Sequence, residues 1–150
     1  DVLLTGGAKQ VYAVDVGHGQ MDWKLSQDPR VLVLDNTNAR YLTRERVPDA
    51  VDLIVCDVSF IGLETVLPAP MLLARPEAYL VALIKPQFEA GKGKVGKGGV
   101  VRDKALHDEV CERISAWIGG EDGWRVLGIT ESPITGAAGN KEFLIAAVFE

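Results

Sequence analysis

Cysteine is scarce in this chain, and so is histidine. The two cysteines, Cys56 and Cys111, have no metal-ligand spacing, which sets aside both a zinc module and a disulfide scaffold. One falls in an apolar run and the other in a helical pattern, as free, buried thiols of a reducing compartment do. His18 and His107 belong to no paired pattern and are expected as plain surface side chains. No apolar run reaches the roughly 18 residues that cross a bilayer, and no signal-peptide pattern opens the chain. The expectation is a cytoplasmic protein that does not enter membranes. A basic excess is missing too: 16 Lys and Arg against 21 Asp and Glu give a net charge of −5. Broad, nonspecific nucleic-acid binding needs the opposite balance. There is no internal repeat and no interdomain linker, so the 150 residues are expected to form one domain.

Short, Val- and Ile-rich runs alternate with helical patterns. Val11–Gly17, Arg30–Asp35, Asp52–Phe60, Tyr79–Ile84, Trp124–Thr130 and Phe143–Phe149 read as strands. The central runs are continuously apolar, which predicts strands buried on both faces of a parallel sheet. Leu63–Ala74 has helical spacing that Pro68 and Pro70 should break. A helix is expected from the N-cap Asp103, presenting Leu106, Val110, Ile114, Trp117 and Ile118 on one face. The last two strands are joined without a helix. The pattern therefore predicts an α/β sheet, mostly parallel, with one antiparallel strand at the end.

In such sheets a ligand sits beyond the carboxyl ends of the strands, and this chain places charges there. Asp57 ends one apolar run and Lys85 ends the next, so the two should meet at one edge. Desolvation after six apolar residues disfavours the ammonium of Lys85, whereas a carboxylate beside it favours the charge. A base and a charged positioning group are both open to it. Glu142, just before the antiparallel strand, can reach the same edge. Asp15 ends the first strand ahead of Gly17, where dinucleotide and nucleoside folds place an acid on ribose hydroxyls. Asp35, before an Asn-Thr-Asn loop, lies where the adenine side of that ligand would be. Glu89–Gly99 is a glycine-lysine stretch just past Lys85, and Lys92, Lys94 and Lys97 in it suit a mobile lid that contacts phosphate.

The blocks Val14–Gln20, Asn36–Arg40, Asp57–Ile61, Ile84–Glu89 and Gly139–Phe143, in that order, resemble the haemolysin A (TlyA) family of FtsJ-like, S-adenosylmethionine-dependent ribose methyltransferases acting on ribosomal RNA. The resemblance spans essentially the whole chain. It implies a Rossmann-like class I methyltransferase sheet and a Lys-Asp-Lys-Glu catalytic set, three of whose members fall on Asp57, Lys85 and Glu142. It also implies a cofactor site formed by Asp15, Val16, Gly17, Asp35, Asn36, Asn38, Asp57 and Val58. The implied partner is ribosomal RNA or a ribosomal subunit, with Lys92, Lys94, Lys97 and Arg102 closing on phosphates. The family's glycine-rich first strand-loop, first catalytic lysine and S4-like RNA-binding domain would lie upstream of Asp1. The expectation is a partial methyltransferase domain that by itself binds cofactor weakly. The family's name raises a membrane-active cytolysin as the competing reading, and a catalytically inactive nucleotide- or RNA-binding module is a third.

Overall fold

The structure is a computed structural model that describes residues 1–91 and 93–150. Its strands are β1 (Val11–Val14), β2 (Val31–Leu34), β3 (Val51–Cys56), β4 (Ala74–Ile84), β5 (Trp124–Glu131) and β6 (Phe143–Phe149). Its helices are α1 (Val2–Thr5), α2 (Trp23–Ser26), α3 (Leu63–Val66), α4 (Pro68–Met71), α5 (Pro86–Glu89) and α6 (Lys104–Gly120).

Two sheets form. β1 and β2 pair in parallel as a ribbon, and the second sheet has the order β3-β4-β6-β5. β3 and β4 are parallel, while β6 runs antiparallel to both β4 and β5. The terminal hairpin and the single reversed strand match the expected alternation. β1 and β3 each keep one edge without a hydrogen-bonded strand among the described residues. The Tyr12 hydroxyl, on β1, reaches across to Asp49 Oδ2 at 2.6 Å, just ahead of β3.

The core lies on one face of the larger sheet. Asp103 caps α6 by accepting from the Ala105 amide at 2.9 Å, and the apolar face of that helix places Leu106, Val110, Ile114 and Ile118 against Leu80, Ile84 and Ile145. Truncating Ile114, fully buried at 0% exposure, to Ala would cost about 2–5 kcal/mol. Pro68 stands at the first turn of α4, where its missing amide donor costs nothing. It divides the run from Leu63 into two short helices, as expected.

Three expectations are corrected. The central strands are not buried on both faces: Leu53, Val55, Tyr79 and Val81 are exposed on the side opposite α6. A continuous apolar run cannot tell a covered face from an open one, because both need apolar side chains at every position. β4 begins at Ala74 rather than Tyr79, since a bulge with Glu77 at φ 68° lies between the Val51–Ala74 and Leu53–Tyr79 pairs. His107 is a core side chain at 4% exposure, its Nε2 2.9 Å from the Val101 carbonyl and its ring against Phe143.

Candidate active site

The register of the sheet assembles the site. Cys56 pairs with Ala82, so Asp57 and Lys85 leave adjacent parallel strands at the same end. Lys85 Nζ sits 2.6 Å from Asp57 Oδ1, with the lysine side chain only 12% exposed and the aspartate 68%. Nζ also donates to Ser59 Oγ at 3.3 Å. Pro86 then starts α5 directly behind the lysine, its ring fixing the chain as it turns from strand to helix.

Glu142 joins from the reversed strand. Ile84 pairs with Phe143, so the next residues outward, Lys85 and Glu142, lie on neighbouring strands at the same edge. Glu142 is buried at 7% exposure, and Gln87 Nε2 donates to its Oε1 at 2.8 Å. The other amide atom, Gln87 Oε1, is buried without a hydrogen-bond partner among the described residues, a cost of about 1–3 kcal/mol. Asp57 and Lys85 are thus in contact, and the register sets Glu142 beside Lys85 at the same sheet edge.

Three groups show how burial shapes the electrostatics. Burial pushes the Cys56 thiol up to about 11, with the charge of Asp57 adding to the effect and Lys85 opposing it. The Cys111 thiol, next to Asp108, is also raised to about 11, mainly by burial. Both cysteines are free. Burial raises Glu89 above the usual carboxylate range, while the Leu63 amide and Arg113 oppose the shift. Glu89 Oε1 accepts from the Leu63 amide at 2.8 Å, and Arg113 binds both Glu89 Oε2, at 3.2 Å, and Glu64. That clamp ties α5 to the loop running from Asp57 to Leu63.

Six of the eight expected cofactor residues, Asp15, Val16, Gly17, Asp35, Asn36 and Asn38, lie on the loops after β1 and β2, whereas Asp57 and Val58 follow β3 in the other sheet. Asp15 Oδ1 accepts from the Gly17 amide at 2.7 Å, and Asp35 Oδ2 accepts from the Gly19 amide at 2.9 Å. The Asn36 amide donates to the Gly17 carbonyl and the Thr37 amide to the Asp15 carbonyl, both at 2.9 Å. The loops after β1 and β2 are thereby knitted together. Asn36 takes the left-handed conformation at φ 51°. Asn38 is spent as a cap, its side chain accepting from the Arg40 amide at 3.0 Å. His18 pairs with Asp35 at 3.0 Å while staying on the surface. Val16 is exposed and Val58 packs, half-buried, against the core. This donor set suits a nucleoside: Asp15 retains a second carboxylate oxygen for a ribose diol, beside a glycine turn that lets a ligand approach the backbone.

Of the expected phosphate contacts, Lys94, Lys97 and Arg102 are exposed and line one shallow cavity together with Asp103. Lys94 is paired with Glu109 at 2.8 Å. Lys92 lies outside the described residues.

Four residues were missed in the sequence. Phe60 is 90% exposed and held at φ 65°, a costly backbone state for an aromatic residue, with its ring centroid 4.8 Å from that of Phe88. Ser59, Gln87 and Asn140 also belong to the site. Asn140, at 2% exposure, accepts from the Val101 amide and donates to the Gly99 and Ala137 carbonyls. It ties the lysine-bearing loop to the turn before Glu142. The signal was their position: each stands within three residues of a charged strand end or inside the same short block. Among the described residues, no cluster of His, Cys, Asp or Glu could hold a metal ion, and no helix is long and apolar enough to cross a membrane.

An α/β sheet with a reversed last strand, an acid-lysine-acid set at its carboxyl edge and acids on the neighbouring ribbon defines the class of Rossmann-like methyltransferase folds. The chain belongs to the FtsJ-like methyltransferase family, whose pattern matches residues 1–149. It is 50% identical over 145 residues to the 16S/23S rRNA (cytidine-2′-O)-methyltransferase TlyA of Mycobacterium tuberculosis, covering 97% of this chain and 54% of that protein. It is 42% identical over 146 residues to hemolysin A of Brachyspira hyodysenteriae, covering 96% and 60%. A solved candidate hemolysin from Streptococcus thermophilus superposes with a TM-score of 0.93 at 42% identity, over 99% of this chain and 54% of that one. The chain thus spans between half and two thirds of the length of these relatives.

Proposed function

We propose that this chain is the catalytic part of an enzyme that transfers a methyl group from S-adenosylmethionine to a ribose 2′-hydroxyl of ribosomal RNA. The observation that carries this reading is the Lys85–Asp57 ion pair at 2.6 Å, joined at the same sheet edge by the buried carboxylate of Glu142.

The cofactor, when bound, supplies a sulfonium-activated methyl group. Asp15 would hold its ribose, the Asp35–Asn38 turn its adenine side, and Asp57 with Val58 the part nearest the reacting edge. The protein's own task is to align a poor nucleophile and manage its proton. Asp57 and Ser59 fix the Lys85 ammonium, which donates to and orients the 2′-oxygen, and the Glu142 carboxylate takes the hydroxyl proton as the oxygen attacks the methyl carbon. Phe60 offers an open ring face on which the target base stacks, the usual way a splayed-out RNA base is held. Lys94, Lys97 and Arg102 meet phosphates, with Lys92 assigned to the same loop from sequence. A partner is then either free ribosomal RNA or a ribosomal subunit. The acidic balance of the chain suits an enzyme whose RNA affinity comes largely from another module.

The unpaired edges of β1 and β3 support a further strand between them, carrying the loop that grips the methionine end of the cofactor. On that reading the 150 residues alone bind S-adenosylmethionine weakly. Tight calorimetric binding by this chain alone would refute it. The activity itself is tested with the protein at its full encoded length, labelled cofactor and ribosomal RNA. A 2′-O-methyl product leaves one alkali-resistant dinucleotide. Label on a base, or vesicle leakage without methylation, would overturn the assignment.

A further inference from the structure

Two independent features converge on the carboxylate of Glu142. The first is Gln87. Its amide donates to Glu142 Oε1 at 2.8 Å, and its own oxygen is buried with no partner among the described residues. The amide is thus turned so that its donor serves the carboxylate, the one contact its polar end makes among the described residues. The second is Gly136. A Cβ added there would lie 1.9 Å from Glu142 Oε1 and 2.5 Å from Cδ. Its backbone, at φ −79° and ψ −168°, is open to any residue, so glycine is required for space and not for conformation.

We infer that Gln87 and Gly136 form a seat that aims the Glu142 carboxylate at the edge occupied by Lys85, making Gln87 a positioning residue for the reaction. Gly136 leaves the volume into which the carboxylate folds, and Gln87 fixes its rotation through one N–H. Lys85 and Gln87 share the strand-to-helix turn at Pro86, so the same rigid segment sets both the cation and the carboxylate. This inference rests on the methyl-transfer reading of the site.

The test uses the full-length protein and kinetics on ribosomal RNA. Gln87→Met, which keeps shape and removes the donor, should lower kcat at least tenfold while the KM for RNA and for cofactor stay within twofold. Gly136→Ala should fold normally, because the displaced group is the far end of a flexible side chain, and should show the same loss in kcat. In a Glu142→Gln background, Gln87→Met should cost nothing further. The exchange Gln87→Glu with Glu142→Gln restores an amide-carboxylate bond with its direction reversed. It should recover the melting temperature and not the turnover. Wild-type kcat in Gln87→Met, an additive loss in the double variant, or turnover recovered by the exchange would each overturn the seat. Glu142→Gln at wild-type rate would instead overturn the reading on which the seat rests, so the two failures are distinguishable.

Discussion

The two halves of the site are built in opposite ways. At the β3-β4-β6 edge the working groups stand on strands whose other face is the core, and Lys85 is 12% exposed with Glu142 at 7%. On the β1–β2 ribbon, Asp15 and Asn36 are exposed; the Asp15 carboxylate holds the Gly17 amide of its own loop at 2.7 Å, and Asp35 holds the Gly19 amide of the other loop at 2.9 Å. The first region is fixed by tertiary packing and by a clamp from Glu89 to Arg113. The second is fixed by hydrogen bonds within and between its two loops. On the methyl-transfer proposal, the contrast separates chemistry from recognition: preorganisation resides where proton handling would need it.

Substitutions should keep the two apart. The largest effect is expected from Lys85→Ala, which removes the side chain that the proposed function sets at the reacting hydroxyl. Turnover should fall by about a thousandfold or more, with the calorimetric affinity for S-adenosylmethionine unchanged. Phe60→Ala removes a stacking platform worth about 1–3 kcal/mol, so the KM for RNA should rise roughly 5- to 150-fold with cofactor affinity intact. Asp15→Ala should weaken cofactor binding by about tenfold, in line with one lost hydrogen bond to an ionised group, and leave kcat at saturating cofactor near the wild-type value.

The strand-helix alternation, the reversed last strand and the meeting of Asp57 with Lys85 could be read in the sequence, because each follows from alternation or from a charge ending an apolar run; the split into two sheets and the order β3-β4-β6-β5 could not. Phe143–Phe149 was bounded to the residue, helped by the charged pair Lys141 and Glu142 ahead of it. Where the reading failed, the missing information was three-dimensional. Whether Leu53 and Val55 are covered depends on what packs over that face. His107 became a core residue because the Val101 carbonyl offers it a partner. Gln87 looked like one polar residue among several, and only its contact with Glu142 gives it a role.

Two smaller effects probe the supports of the reacting edge. Asn140→Ala strips partners from three backbone groups. It should lower stability by about 2 kcal/mol, a fall of roughly 4–8 °C in Tm, and loosen the lysine-bearing loop. Glu89 is raised above its unfolded value by burial. The folded state therefore holds its proton to higher pH than the unfolded chain, and stability falls as pH rises through the window just above 4.5. Denaturant titrations across that window should show the decline in the wild type and its absence in Glu89→Gln.

The division of labour is tested most directly by pairing Lys85→Ala with Asp15→Ala in the full-length protein and measuring cofactor binding and methyl transfer on each. The account predicts a double dissociation: Lys85→Ala binds S-adenosylmethionine like the wild type and does not turn over, while Asp15→Ala binds it weakly and turns over once saturated. Loss of binding and turnover together in both variants would contradict it.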